Sequence, residues 1–252
     1  MNNKIKLGLA LFVIGFLGIL TMLTINIPLG SLPKEITAKF SPQVIKWLIL
    51  FNPTLFLTIA VVIGTILYDK VGLKVPTISN ILNIEKSAIT FFEQLKFGIL
   101  LGICTGILTV LVGLIFKDSI PQAFIDEGSK MKITILARFG YGGFTEELLM
   151  RYGFMTLIVW IIFKLNKQLL NATYWVAIVL AALLFAVGHF PIVYSIVENP
   201  SIGLLSYVLL GNSIAGIFFG WLYWKKGLEA AFIAHIFAHV VMLGGEQYFQ
   251  LH

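Results

Sequence analysis

Residues 97–116 read FGILLGICTGILTVLVGLIF, an apolar run without a charged side chain that lies between Lys96 and Lys117. About 20 helical residues cross the roughly 30 Å hydrocarbon layer of a bilayer, so this run predicts a transmembrane helix. The same criterion selects six further runs, at residues 7–25, 47–68, 139–163, 171–190, 202–224 and 228–244. The predicted fold class is therefore all-α, a polytopic transmembrane helix bundle of seven spans, or of eight if an ambiguous segment also crosses.

The composition of the chain excludes several other classes of protein. Of its 252 residues, 58% are hydrophobic and 12% are charged, and the mean hydropathy is +0.94. A soluble enzyme, a secreted disulfide scaffold and a disordered chain do not have this composition. Cys104 is the single cysteine, so no intramolecular disulfide can form. No linker or internal repeat divides the chain, which predicts one integral membrane domain, residues 1–252.

The distribution of charge predicts contact with lipid headgroups. The net charge of +6 comes from 18 Lys and Arg against 12 Asp and Glu, and nearly all basic residues lie between the apolar runs. No nucleic-acid-binding surface is predicted. With a cytoplasmic N-terminus, seven spans place ten lysines inside and six outside, in the direction of the positive-inside rule. The inside set is Lys4, Lys6, Lys70, Lys74, Lys86, Lys96, Lys164, Lys167, Lys225 and Lys226, and the outside set is Lys34, Lys39, Lys46, Lys117, Lys130 and Lys132.

Three further patterns concern the helices and their connections. The first apolar run stays uncharged to Pro33, longer than a signal-peptide core, which predicts a retained anchor helix. Gly98, Gly102 and Gly106 recur every four residues, so they predict a helix face that packs closely against a neighbour. Residues 77–96 and 119–137 mix apolar and charged residues, as amphipathic helices at the headgroup level do. An ordinary polar connection explains these two stretches equally well.

Few ionisable residues lie inside the predicted spans, where each costs about 2.5 to 3.5 kcal/mol at a helix centre. They occur in GGFTEELLMRYGF of the fourth span, FAVGHFP at the end of the fifth and AAFIAHIFAHVV in the seventh. His252, the last residue, is expected to be inert. The residues at membrane depth are Glu146, Glu147, Arg151, His189, His235 and His239.

Helical spacing predicts how these side chains are arranged. Glu147 and Arg151 are four residues apart, so they share a helix face and can form a structural ion pair. Glu146 is rotated by about 100° around the helix and can face a cavity. His235 and His239 also share a face, where two imidazoles can converge on one metal ion or one substrate oxygen.

Each of these features has a structural explanation as well. A single histidine in a span, such as His189 beside Pro191, is often a hydrogen bond between helices. A Glu–Arg pair alone is more often structural than catalytic. The conjunction of two glutamates, an arginine and three histidines on three spans nevertheless favours a polar, water-filled cavity inside the membrane.

These residues resemble the motifs of the CPBP intramembrane protease family, which includes the Rce1-type CAAX prenyl endopeptidases and bacterial abortive-infection membrane proteins. EELLMR is similar to EExxxR, FAVGH to FxxxH and HIFAH to HxxxN/D, over residues 139–241. The intervals also fit, with 43 residues from Glu146 to His189 and 46 from there to His235. Residues 51–76, which end in YDKVGLKVP, are similar to the N-terminal half of bacterial members. The resemblance separates N-terminal spans and amphipathic connections, residues 1–138, from a catalytic core, residues 139–245.

The resemblance implies an intramembrane endopeptidase, integral to a membrane and multi-pass. It implies that Glu146 activates the attacking water, that His189 helps to hold this water, and that Glu147 and Arg151 support them. The implied partners are membrane lipid and a peptide or membrane-protein substrate, a short peptide or an anchored chain end that enters laterally. In a bacterial plasma membrane, which we expect, a peptide precursor fits better than a prenylated CAAX tail. No oligomeric state is predicted.

The resemblance leaves the oxyanion contacts and a metal site open. It implies that His235 and the residue at position 239 steady the oxyanion. The family usually has Asn or Asp where this chain has His239, although an imidazole can also donate a hydrogen bond. His189, His235, His239 and Glu146 could instead hold Zn²⁺ with a bound water, although HExxH is absent. We favour the mechanism that requires no cofactor.

Other functions explain fewer of the residues. A rhomboid-like serine protease would use Ser213 with His235, which leaves the glutamates unexplained. An aspartyl intramembrane protease fails because the YD at residues 68–69 is followed by no GxGD. A proton-coupled transporter would use the glutamates and histidines as a relay and would have symmetric halves, which the sequence lacks. A catalytically silent immunity protein is disfavoured by the intact EExxxR motif.

Overall fold

The computed structural model of the protein describes residues 2–25, 39–130 and 133–250. Every regular element in these ranges is helical, which confirms the all-α fold class. The predictions that involve Pro33, Lys34, Lys132 and His252 lie outside the described residues.

The helices, numbered in chain order, differ widely in length. Single 3₁₀ turns extend α1 to Thr24 and α3 to Val71, and α7 is continuous although its winding changes along its length. The bounds are α1 Asn3–Leu20, α2 Pro42–Leu48, α3 Phe51–Leu67, α4 Pro76–Ile81, α5 Phe91–Ile115, α6 Gln122–Lys130, α7 Ile135–Asn166, α8 Asn171–Val187, α9 Phe190–Ile196, α10 Ile202–Lys226 and α11 Leu228–Gln250.

Seven helical segments in the described ranges are long and apolar enough to cross a membrane. They are Asn3–Thr24, Pro42–Val71, Phe91–Ile115, Ile135–Asn166, Asn171–Ile196, Ile202–Lys226 and Leu228–Gly245. Each overlaps one predicted span, so the prediction of seven is confirmed, and no eighth is found among the residues described. The second segment starts earlier than predicted because Ser41 caps a short helix that begins at Pro42, before Trp47.

Connections that carry the inside lysines meet at one end of the bundle. The Lys4 ammonium near the N-terminus lies 2.7 Å from the carboxylate of Asp69, which follows the second span. The main-chain N–H of Leu228, at the start of the seventh span, donates to the carbonyl of Lys74 at 3.1 Å. Helices that cross in alternating directions require this arrangement. The side of the membrane that this end faces stays a prediction.

The predicted glycine face of α5 packs against α11. A β-carbon added at Gly102 would lie 2.5 Å from the carbonyl oxygen of Ala234, and Gly98 and Gly106 make similarly close contacts with α11. No side chain fits at these positions, so the two backbones are in direct contact. Because α11 carries both histidines of the seventh span, α5 fixes the position of that helix in the bundle.

Helices α1 and α3 both pack against α7, and hydrogen bonds join each of them to it. The hydroxyl of Thr145 in α7 donates to the carbonyl of Gly15 in α1 at 2.8 Å. The hydroxyl of Tyr152 donates to Thr65 in α3 at 3.1 Å. A buried helix with polar side chains needs such partners, because unpaired polar groups are costly inside a membrane.

The two predicted amphipathic stretches have different structures. Helix α6 lies within residues 119–137, and a 2.6 Å ion pair joins its Glu127 to Lys130. Residues 77–96 form no single helix, so of the two alternatives the connection holds for this stretch, and it links α4 to α5. Asn83 adopts a left-handed conformation with φ +54°, which ends the helical path after α4. The depth of α6 in the membrane stays a prediction.

A buried carboxylate that the sequence analysis did not single out joins this connection to α11. Glu229 accepts a hydrogen bond from the main-chain N–H of Ile78 at 2.8 Å and another from the Gln94 amide at 2.9 Å. The same amide also donates to the carbonyl of Lys226 at 2.9 Å. The start of α11 is therefore held by both α4 and α5.

Candidate active site

The part of α7 around Glu146 and Glu147 is wound as a π-helix. This winding covers Arg138–Glu146 and Leu148–Met155. The hydrogen bonds of a π-helix join residues five apart. Such wide turns are rare in proteins, and those that occur are often found at functional sites. An ordinary helix was predicted here, and nothing in the local pattern of apolar residues indicated the wider turn.

The two adjacent glutamates have different surroundings. Glu147 is fully buried, and its Oε2 lies 3.1 Å from Nε of Arg151. The Glu146 side chain keeps 20% of its surface exposed and lines a cavity. The predicted arrangement is confirmed: one carboxylate pairs with the arginine, and its neighbour turns towards the cavity.

His235 lies between the two carboxylates. Its Nδ1 atom donates to Oε1 of Glu147 at 2.8 Å, and its Nε2 atom lies 3.8 Å from Oε2 of Glu146. The ring also stacks on Phe219 with centroids 4.8 Å apart. The imidazole therefore connects the buried ion pair of Glu147 and Arg151 to the carboxylate in the cavity.

The buried Arg151 guanidinium is held by aromatic rings as well as by its carboxylate. It lies 5.2 Å from the ring centre of Phe185 and 5.4 Å from that of Phe219. Among the described residues, its nitrogen atoms have no hydrogen-bond partner, so the contact with Glu147 is an ion pair without hydrogen-bond geometry. Cation–π contacts thus replace hydrogen bonds around this charge.

His239 packs directly behind His235 on α11. The two rings are stacked with centroids 4.9 Å apart. A β-carbon added at Gly142 would lie 2.9 Å from Nε2 of His239, so the glycine in α7 makes room for this imidazole. In the described part of the chain, Nδ1 of His239 is buried and has no hydrogen-bond partner.

His189 reaches the same region from the end of α8. Its Nδ1 atom donates to the carbonyl oxygen of Phe185 at 2.8 Å. A carbonyl oxygen can only accept, so the Nε2 atom of the neutral ring is an acceptor. The Phe185 ring lies edge-on between His189 and His235, with centroids 4.9 Å and 6.3 Å away. The Phe185 ring therefore lies in contact with both histidines and connects His189 to His235.

A cavity of about 740 Å³ lies between α3, α7 and α8 and contains Glu146 and His189 in its wall. Most of the wall is apolar, and three of its side chains, Phe56, Ile59 and Leu184, are also exposed on the outside of the bundle. In a helix bundle that spans a membrane, such exposed apolar side chains face lipid. The cavity therefore reaches the lipid-facing surface between α3 and α8.

The resemblance left open a zinc site with His189, His235, His239 and Glu146 as donors. Among the described residues, no three His, Cys, Asp or Glu side chains are grouped as metal ligands. The Nδ1 atoms of His189 and His235 are hydrogen-bonded to Phe185 and Glu147, which leaves only the Nε2 atom of each ring for a metal ion. The zinc site suggested by the resemblance stays a prediction.

The alternative with a serine nucleophile also lacks its pair of residues. The Ser213 hydroxyl is buried and has no hydrogen-bond partner in the part of the chain that is described. Both ring nitrogens of His235 face glutamates instead. No serine–histidine pair is therefore formed by these two residues.

Sequence reasoning missed the aromatic side chains of the site. Phe185 was visible as the first residue of the FAVGH motif, but its contact with Arg151 depends on how α7 and α8 pack. Phe219 and Tyr141 had no sequence signal. Phe219 contacts His235 from another helix, and Tyr141 lines the cavity from the π-wound part of α7.

Comparison with known proteins identifies a matching family. Residues 129–241 match the family described as type II CAAX prenyl endopeptidase Rce1-like. No curated protein and no solved structure matches the chain. The matched segment contains all three motifs, and the match confirms the resemblance stated from them.

Proposed function

We propose that this chain, which carries an Rce1-like domain over residues 129–241, is an intramembrane endopeptidase whose attacking water is activated by Glu146. The family match supports a membrane protease. The observation that carries the finer proposal is the division between neighbouring glutamates. Glu147 is fully buried against Arg151 and His235, whereas Glu146 lines the cavity and is free to meet a water molecule.

In the proposed reaction, a water molecule lies between Glu146 and His189. It donates one proton to the Glu146 carboxylate and a hydrogen bond to Nε2 of His189, which is an acceptor. The water oxygen attacks the carbonyl carbon, and the electron pair of the carbonyl bond moves to its oxygen. As the C–N bond breaks, the proton passes from Glu146 to the leaving amine. His235 and His239 would steady the oxyanion, as the family resemblance implies.

The apolar wall of the cavity supports a membrane-associated substrate. Side chains of Phe56, Ile59 and Leu184 connect the cavity to the lipid-facing surface, so an anchored chain end or a hydrophobic peptide can reach Glu146 without leaving the membrane. In a bacterial plasma membrane, the location that we propose, a peptide precursor suits this cavity. A prenylated CAAX peptide, named in the description of the family, is the second substrate to test.

The test is cleavage in proteoliposomes. Quenched fluorescent peptides with an apolar C-terminal segment, with and without a prenyl group, are incubated with the wild type and with Glu146→Gln. We expect cleavage by the wild type, and incorporation of one ¹⁸O atom from labelled water into the new carboxylate. Glu146→Gln should fold and insert but not cleave, whereas Glu198→Gln, which changes an exposed carboxylate, should cleave normally. Equal cleavage by the wild type and Glu146→Gln would contradict the proposal.

A further inference from the structure

The wall of the cavity contains three polar side chains. They are Glu146, His189 and Tyr141, and the rest of the wall is apolar or glycine. His235 and His239 contribute to the cluster behind Glu146 but are not among the residues that line the cavity. A polar group of a substrate inside the cavity therefore meets one of these three side chains first.

Of the three, only Tyr141 can donate a hydrogen bond at the start of the proposed reaction. Glu146 is ionised when it acts as the base, and a carboxylate only accepts. The Nδ1–H group of His189 donates its hydrogen bond to the carbonyl of Phe185, which leaves Nε2 as an acceptor. A phenol stays protonated at neutral pH and can donate.

The π winding of α7 brings the hydroxyl and the carboxylate to the same wall. Tyr141 precedes Glu146 by five residues within Arg138–Glu146, and five is the hydrogen-bonding interval of a π-helix. The wider turns of a π-helix bring side chains five residues apart closer to one face, and both of these side chains line the cavity. In an α-helix with 3.6 residues per turn, side chains at this interval point in different directions.

The Tyr141 hydroxyl also lacks a partner of the kind that Tyr152 and Tyr174 have. The hydroxyl of Tyr152 donates to Thr65, and that of Tyr174 donates to the carbonyl of Val71. Tyr141 is partly buried, yet among the described residues its hydroxyl makes no hydrogen bond. Buried tyrosine hydroxyls usually have a partner, so this one is available to a ligand in the cavity.

We infer that Tyr141 is a further catalytic residue, an inference that rests on the proposed function. Its hydroxyl donates a hydrogen bond to the carbonyl oxygen of the scissile peptide bond. As water attacks and its proton moves to Glu146, negative charge develops on this oxygen, and the hydrogen bond becomes stronger. Tyr141 keeps its proton throughout, so the step remains balanced when the amine leaves with the proton from Glu146.

The experiment compares Tyr141→Phe with the wild type in the proteoliposome assay. Loss of one oxyanion donor costs about 100- to 1000-fold in kcat in other proteases, so we expect a fall of that size with KM changed less than threefold. Binding of a peptide phosphinate, a tetrahedral mimic of the attacked carbonyl, should weaken by a similar factor. Binding of the cleaved peptide product should not change, because it carries no tetrahedral centre.

Tyr152→Phe is the matched control, because it removes a hydroxyl from the same helix outside the cavity. It should keep kcat and phosphinate affinity within twofold of the wild type. A Tyr141→Phe protein with wild-type kcat and phosphinate affinity would overturn the inference, provided that Glu146→Gln is inactive. If Glu146→Gln were fully active, the proposed function itself would fail, and the inference would fail with it.

Discussion

Glu147 and His235, 88 residues apart in the chain, are joined by a 2.8 Å contact between Oε1 and Nδ1. The carboxylate accepts a hydrogen bond from Nδ1–H and so fixes the orientation of the ring. With Nδ1 occupied, Nε2 is the atom that faces Glu146 at 3.8 Å. The second glutamate of the EExxxR motif thus orients a histidine on another helix, besides pairing with Arg151.

Glu147→Gln should destabilise the protein and lower its activity. The amide keeps the size of the side chain but leaves the Arg151 charge buried without a counter-charge, which costs about 3 kcal/mol. Chemical unfolding in detergent micelles measures this loss. Asp69→Asn is the control, since its pair with Lys4 is partly exposed and such pairs contribute less than about 1 kcal/mol. Equal losses in both variants would contradict the structural role of Glu147.

Gly142→Ala should disturb the histidine pair. The added methyl group would lie 2.9 Å from Nε2 of His239, so the ring must shift, at a cost of about 1 to 3 kcal/mol. We expect lower kcat and a lower melting temperature. Gly128→Ala in α6 is the control, because its methyl group meets nothing within 4 Å, and it should leave both quantities unchanged or slightly raise stability. A fully active, fully stable Gly142→Ala protein would show that the His239 ring does not pack closely against Gly142.

Gly102→Leu should separate α5 from α11. The first carbon of its side chain would already lie 2.5 Å from the carbonyl oxygen of Ala234, and a backbone atom cannot move aside cheaply. We expect loss of the elution peak of the folded protein in size-exclusion chromatography. Gly113→Ala, whose methyl group would be 3.8 Å from the Tyr207 ring, should elute like the wild type. Normal elution of Gly102→Leu would refute direct backbone packing at this position.

Removal of divalent metal should leave cleavage unchanged under the proposed mechanism. The reason is the donor geometry, since no three candidate ligands are grouped among the described residues. The measurement combines metal content by mass spectrometry with cleavage before and after treatment with a chelator. Near-stoichiometric zinc together with chelator-sensitive cleavage would instead assign His189, His235 and His239 to a metal site.

The sequence predicted those parts of the structure that depend on neighbours along one helix. Seven spans follow from apolar runs, the contact of Glu147 with Arg151 follows from spacing, and the close face around Gly102 follows from the four-residue repeat. Each of these properties is local, so a single segment contains the information.

The remaining features depend on how separate helices meet. Glu229 binds Gln94 and the main chain of Ile78, and nothing in any of the three segments identifies the other two. The placement of Arg151 between two aromatic rings is of the same kind. The π winding is a further case, since the residues of the EExxxR motif alone do not indicate it.

The glycine face of α5 decides which helices can move apart. Backbone contact along Gly98, Gly102 and Gly106 leaves no flexible side chains between α5 and α11, so these two helices shift together or not at all. Helix α11 is in turn tied to α7 through Glu147 and His235. The α3 wall of the cavity is also held against α7, since a β-carbon added at Gly153 would lie 2.8 Å from the α-carbon of Ala60. Glu146, His235 and His239 therefore keep their relative positions when a substrate enters the proposed site.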